Sequence, residues 1–292
     1  MKSEIIVIVG PTGTGKTKLS IELAKIYNAV IINADSTAIY KEPLIATAKV
    51  TEEEKEGIPH YMLDLVSLEE EYTIYDYQKE GRELLNKLIS ENKNIIIVGG
   101  SGLYIKALLY DYKLEETKTK RVDYSNYTNQ ELKKIADEID VNNGIHSNNR
   151  QRLERYITYY KETGNKISKN NGINKKLYDF KLIGLTIDRE TLYKKTNSRV
   201  DKMFENGLLE EAKKLKKYKN FTNIIGYREL NEYFNNNLTL EEAKELMKQN
   251  TRHYAKRQFT WFKNQMNDIV WFNVDYDNFN NTINEIKKYL FN

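Results

Sequence analysis

The chain has 292 residues, of which 30% are Asp, Glu, Lys or Arg, and a formal net charge of +4. That length suits one large domain or a core carrying a sizeable insertion. The absence of cysteine excludes disulfides, thiolate-bound zinc and a catalytic thiol. Apolar runs such as residues 5–9 are strand-sized and far short of a bilayer span. No secretory apolar segment with a cleavage site opens the sequence, so a cytoplasmic protein with no membrane association is expected. The small positive charge permits a nucleic-acid partner without demanding one, because many lysines stand beside glutamates.

The first half alternates two periodicities. Residues 4–9 are a β-branched run leading into Gly10, and residues 16–27 carry Leu19, Leu23 and Ile26 at helical spacing. A second short strand is predicted over residues 29–33. Thr73 with Asp76 three positions on forms a capping box that opens a helix from 74 to about 91. Residues 94–98 make a third strand, closed by Gly99 and Gly100. Between 114 and 180 no strand is predicted; polar helices are expected around 130–139 and 150–161. Residues 181–187 return to a buried strand, 189–206 and 208–218 are helical, and Thr239 with Glu242 caps a long helix to about 263. A strand at 269–274 and a terminal helix follow.

Gly10, Pro11, Thr12, Gly13, Thr14, Gly15, Lys16 and Thr17 fit G-x-x-x-x-G-K-[ST], directly after a strand and before a helix. Main-chain N–H groups of such a loop converge on an anion, and the positive end of the helix adds a favourable field. Lys16 supplies a mobile charge, and the Thr17 hydroxyl can serve Mg²⁺ directly or through water. The expected fold is therefore α/β: a P-loop-type parallel sheet core flanked by helices, spanning 1–113 and 181–292, with a helical insertion domain at 114–180.

A hydrolysing P-loop protein also carries a metal-holding acid at the end of an apolar strand. Here the strand at 94–98 ends in Gly99-Gly100-Ser101-Gly102, with no acid. Asp35 stands elsewhere, just past the second strand. In a doubly wound sheet that strand can lie beside the first, which would project Asp35 over the phosphate loop. A carboxylate there can take a proton from a nucleophile attacking next to bound phosphates; a turn or helix-cap aspartate is the alternative. These features indicate a transferase rather than a motor and leave the acceptor unnamed.

Residues 249–267 hold Arg252, Lys256, Arg257 and Lys263 and no acid, interleaved with Tyr254, Phe259, Trp261 and Phe262. Cations among aromatics suit phosphates plus stacked bases; an amphipathic helix with its aromatics in the core fits the pattern as well. Arg150, Gln151, Arg152 and Arg155 form a second basic cluster. His60, His146 and His253 show no metal-site spacing.

In order down nearly the whole chain, these pieces resemble the tRNA dimethylallyltransferase family. The matches include "GPTGTGKT" at 10–17, "NADS" at 33–36, "TAK" at 47–49, "GGSGLY" at 99–104, "QRLER" at 151–155, "RVDKMFENGLLEE" at 199–211, "IIGYRE" at 224–229 and "KRQFTWF" at 256–262. The resemblance implies transfer of a dimethylallyl group from dimethylallyl diphosphate to the exocyclic N6 amine of the adenosine 3′ to the anticodon, with release of pyrophosphate. It makes residues 10–17 the diphosphate cradle, with Mg²⁺ as cofactor. Asp35 becomes the general base or hydrogen-bond acceptor for the amine, with Ser101, where the family has threonine, and Lys16 completing the catalytic set. Carried over, the tRNA-contacting positions are Asp35, Ser36, Thr37, Ala38, Ser101, Arg121, Gln151, Arg152, Leu153, Glu154, Arg155, Asn223, Ile224, Ile225, Gly226, Tyr227, Arg228, Lys256, Arg257, Gln258, Phe259, Thr260, Trp261, Phe262 and Lys263. A monomer acting on the tRNA anticodon stem-loop is expected. "EPLIATAK" at 42–49 departs from the family's Gly-x-Asp-Ile-Gly-Thr-Ala-Lys at Glu42, Leu44 and Ala46. The alternatives are an isopentenyltransferase acting on free adenylates, a P-loop small-molecule kinase, and a non-enzymatic RNA-binding module.

Overall fold

The computed structural model describes residues 3–114, 122–166 and 175–291. Its elements are β1 (Ile5–Val9), α1 (Lys16–Tyr27), β2 (Ala29–Asn33), α2 (Glu52–Lys55), β3 (His60–Tyr61), α3 (Ile74–Ser90), β4 (Asn94–Gly99) and α4 (Gly102–Leu109). There follow α5 (Asn129–Ile139), α6 (Arg150–Thr163), β5 (Lys181–Thr186), α7 (Arg189–Glu205), α8 (Leu208–Leu215) and a short 3-10 turn at Phe221–Asn223. The chain closes with α9 (Tyr227–Phe234), α10 (Leu240–Gln265), β6 (Val270–Asn273) and α11 (Phe279–Phe291). Two compact units result: residues 1–111 with 174–292, and residues 112–173. Residues 175–180, expected in the insertion, belong to the first unit.

The first unit is built on a parallel sheet in the order β3-β2-β4-β1-β5-β6. Both faces are buried. Ile5, Val7 and Val9 pack with α3, α4 and Phe262 of α10, while Ile6 and Ile8 pack with α1 and α11. This is why β1 reads as an unbroken apolar run rather than an alternating one. The expectation that β2 lies beside β1 is corrected: β4 stands between them. Gly99 makes this arrangement possible at the carboxyl ends, since a Cβ there would overlap the Ala34 carbonyl that follows β2. A third cluster joins α7, α8, α9 and α10 around Val200, Phe221, Tyr227 and Met247.

The second unit is helical. Thr128 and Glu131 form a capping box at the start of α5, and Leu132, Ala136, Ile145, Leu153, Tyr156 and Ile157 make its own core. Among the described residues of this unit there is no strand. Arg121 lies outside the described residues.

Candidate active site

The phosphate loop leaves β1 at Gly10, whose φ of +146° favours glycine, and a Cβ there would stand 2.6 Å from the Leu185 carbonyl oxygen. The loop delivers its N–H groups to the first turn of α1, where helical geometry supplies them no acceptor. Thr14 is fully buried and its hydroxyl donates to the Pro11 carbonyl at 2.9 Å, so it shapes the loop. The Lys16 amine donates to that same carbonyl at 2.7 Å. Thr17 stands exposed on the first turn.

At the end of β2 the chain is bent by side chains. Asn33 donates to the carbonyls of Asp35 at 3.1 Å and Met62 at 2.9 Å, and accepts from the Asp35 N–H at 3.2 Å. The Tyr77 hydroxyl donates to the Asn33 carbonyl at 2.8 Å. Asp35 Oδ1 then accepts from the N–H of Thr37 at 3.0 Å and from its hydroxyl at 2.8 Å, an Asx turn that sets the carboxylate's orientation. Ser101, the cap of α4, accepts from the Ser36 N–H at 3.0 Å. Asp35 and Ser101, 66 positions apart in sequence by their numbers, are thus laced together through Ser36.

A cavity of about 270 Å³ opens over these groups. Its polar lining includes Thr12, Asp35, Ser36, Thr37, Arg199, Arg228, Tyr254 and Arg257, and its apolar lining Ala46, Val200, Met203, Ile224, Ile225 and Met247. Its electrostatics favour an anion. Burial lowers the Lys16 pKa to about 8, with Arg199 lowering it further and Asp35 opposing. Burial likewise lowers the Arg199 pKa, again opposed by Asp35. Two poorly solvated cations therefore share one carboxylate, and a second negative charge would relieve both. Burial, then the Asp35 charge, push the Tyr254 phenol well above its usual range, with hydrogen bonds to Ser101 and Gln258 opposing.

Arg199 and Tyr254 are absent from the sequence-derived site. Arg199 carried a readable signal: it borders the buried stripe of α7 formed by Thr196, Val200 and Met203, and an arginine beside a buried stripe needs an anionic partner. Of the expected RNA contacts, Gln151, Arg152, Arg155, Asn223, Arg228, Lys256, Arg257, Thr260 and Lys263 are exposed. Others are buried or engaged within the protein. Leu153, Tyr227 and Phe262 are core side chains with no exposed surface, and Ile224 and Ala38 are buried. Glu154 is ion-paired with Arg150 at 2.7 Å. Gly226 donates its N–H to Glu229 at 2.6 Å, and Phe259 packs edge-on against Trp271. Gln258 is buried, its amide engaged with Thr12 and Gly100. Arg252 is held by Asn197 at 2.7 Å. The loop at 42–49 keeps its shape through carboxylates: Glu211 accepts from the N–H groups of Leu44, Ile45 and Ala46, and Glu42 from the Leu68 N–H.

A family model described as IPP transferase matches residues 38–265. The chain is 41% identical, over 99% of its length and 97% of the relative's, to a tRNA dimethylallyltransferase of Anoxybacillus flavithermus. It is 39% identical to a solved tRNA isopentenylpyrophosphate transferase of Staphylococcus epidermidis, with a TM-score of 0.74 and 99% of each chain covered. A eukaryotic dimethylallyltransferase solved acting on tRNA shares 30% identity at a TM-score of 0.76, covering 93% of this chain and 74% of that one. With its phosphate loop, its Asp35 turn and its Arg199 gathered at one end of a parallel sheet, the chain belongs to the tRNA dimethylallyltransferase (IPP transferase) family.

Proposed function

We propose that this protein transfers the dimethylallyl group of dimethylallyl diphosphate to the N6 amine of the adenosine 3′ to the anticodon in tRNA, in the cytoplasm. The observation that carries this reading is the cavity lined jointly by Thr12 of the phosphate loop, Asp35 and Arg199, whose charges also act on Lys16. The loop N–H groups, Lys16 and Arg199 hold the diphosphate, and apolar lining residues such as Val200, Met203 and Met247 accommodate the hydrocarbon. The amine nitrogen forms a bond to C1 of the allyl group as the C1–O bond breaks; the bonding electrons leave on the diphosphate oxygen. Asp35 receives the N6 proton. Thr37 fixes its carboxylate through Oδ1, and a carboxylate has further lone pairs for a substrate donor. An exocyclic amine is a weak nucleophile, so alignment and a stabilised leaving group do most of the catalysis.

No group of three His, Cys, Asp or Glu side chains among the described residues could cage a metal. The Thr17 hydroxyl, exposed on the first turn of α1, is the group that would hold Mg²⁺, an ion that binds through substrate phosphates and few protein ligands. When bound it would neutralise charge on the departing diphosphate. Arg228, Lys256 and Arg257 are exposed and would meet the RNA backbone, and extracting an anticodon-loop base costs roughly a few kcal/mol, offset by such contacts. Incubation with radiolabelled dimethylallyl diphosphate and either an anticodon stem-loop or AMP tests the reading. Label in the stem-loop with release of pyrophosphate is expected; label in AMP alone would overturn it.

A further inference from the structure

A glutamine buried in a helix must satisfy both ends of its amide inside the protein. Gln258 of α10 is 5% exposed. Its Oε1 accepts from the N–H of Thr12 at 2.8 Å, and its Nε2 donates to the carbonyl of Gly100 at 3.0 Å. Thr12 is in the phosphate loop, and Gly100 follows β4 in the turn that presents Ser101. A Cβ on Gly100 would overlap the Gln258 amide, so the turn is shaped to receive it. Within hydrogen-bonding reach of the same amide is Tyr254, one turn earlier, which also meets Ser101. The neighbouring residue Arg257 instead lines the cavity and is exposed. Two consecutive residues of one helix thus face different tasks.

We infer that Gln258 is a positioning residue: it ties the phosphate loop to the turn after β4 and thereby sets the affinity for the diphosphate, without touching the diphosphate or the RNA. A glycine-rich loop has many conformations open to it, and one side chain bonded to two separate loops restricts them to the arrangement that cradles an anion. The inference rests on the reading that residues 10–17 hold a diphosphate.

The test is calorimetric binding of pyrophosphate with Mg²⁺ to wild type, Gln258→Leu and Gln258→Glu, with stem-loop affinity measured alongside. Gln258→Leu leaves the Thr12 N–H and the Gly100 carbonyl unpaired and should weaken pyrophosphate about tenfold or more, with stem-loop affinity unchanged. Gln258→Glu separates positioning from mere packing. Its carboxylate repels the Gly100 carbonyl, whereas its protonated form donates to that carbonyl and accepts from Thr12 as the amide does. The ratio of its dissociation constant to that of wild type at the same pH should therefore fall toward unity as the pH is lowered from about 8 to about 5, because burial raises a carboxyl pKa. A ratio that does not vary with pH, or a Gln258→Leu protein that binds pyrophosphate as wild type does, would overturn the inference. Loss of stem-loop affinity equal to the loss of pyrophosphate affinity would also overturn it, returning Gln258 to the RNA face. Wild type that binds no pyrophosphate would refute the diphosphate reading itself, and the inference with it.

Discussion

Raising the pH from about 7 to about 9 should weaken dimethylallyl diphosphate binding by neutralising Lys16, whose pKa burial lowers from 10.5 to about 8. The sign follows from which form binds. The ammonium pairs with the diphosphate, so affinity is complete below the free protein's pKa and is lost as the pH rises through it. With a pKa of about 8, the charged fraction falls from roughly 0.9 to roughly 0.09 across that window, a tenfold rise in dissociation constant worth about 1.4 kcal/mol. Calorimetry without RNA, at fixed Mg²⁺, measures binding with no turnover, and the ligand's terminal phosphate titrates near 6, outside the window. Lys16→Met should bind weakly at pH 7 and show no further loss up to pH 9. A flat wild-type profile, or a Lys16→Met profile that keeps the tenfold slope, would refute the electrostatic account of the cradle.

Three other outcomes test separate parts of the site. Asp35→Ala should lower turnover by about a hundred- to ten-thousandfold while stem-loop affinity holds, because the carboxylate acts on one proton; equal losses in both would make it an RNA-binding group. Arg257→Ala should weaken stem-loop binding and reduce the slope of log affinity against log salt by about 0.7, the value for one lost phosphate contact on a single strand. An unchanged slope would leave that arginine to the cavity alone. Gly99→Ala places a methyl group on the Ala34 carbonyl, where only main chain could yield, and should lower stability by about 1–3 kcal/mol in urea unfolding; an unshifted midpoint would show slack between the ends of β2 and β4.

Elements with a long period or an end signal were legible in sequence. α1 and β2 fall where predicted, and the capping boxes of Thr73 and Thr239 mark the starts of α3 and α10. Short or wholly buried elements were not. α4 is buried around most of its surface, so it shows no apolar stripe to count. β3, with two residues, exists as a strand only through its pairing with β2. No helix among the described residues is long and apolar enough to cross a membrane, as the strand-sized apolar runs implied.

The sequence by itself determined the phosphate loop and the turn residue Asp35, because a glycine-spaced loop between strand and helix is a local pattern set by backbone geometry. Only the tertiary structure decided which side chains join them. Arg199 and Tyr254 come from helices more than 150 positions away from the loop, and their place depends on how α7 and α10 pack together. The same packing turned Gln258 inward and left its neighbour Arg257 exposed. That choice is made by which helix face meets the core, and along α10 polar and aromatic residues occupy both faces, so spacing alone could not make it.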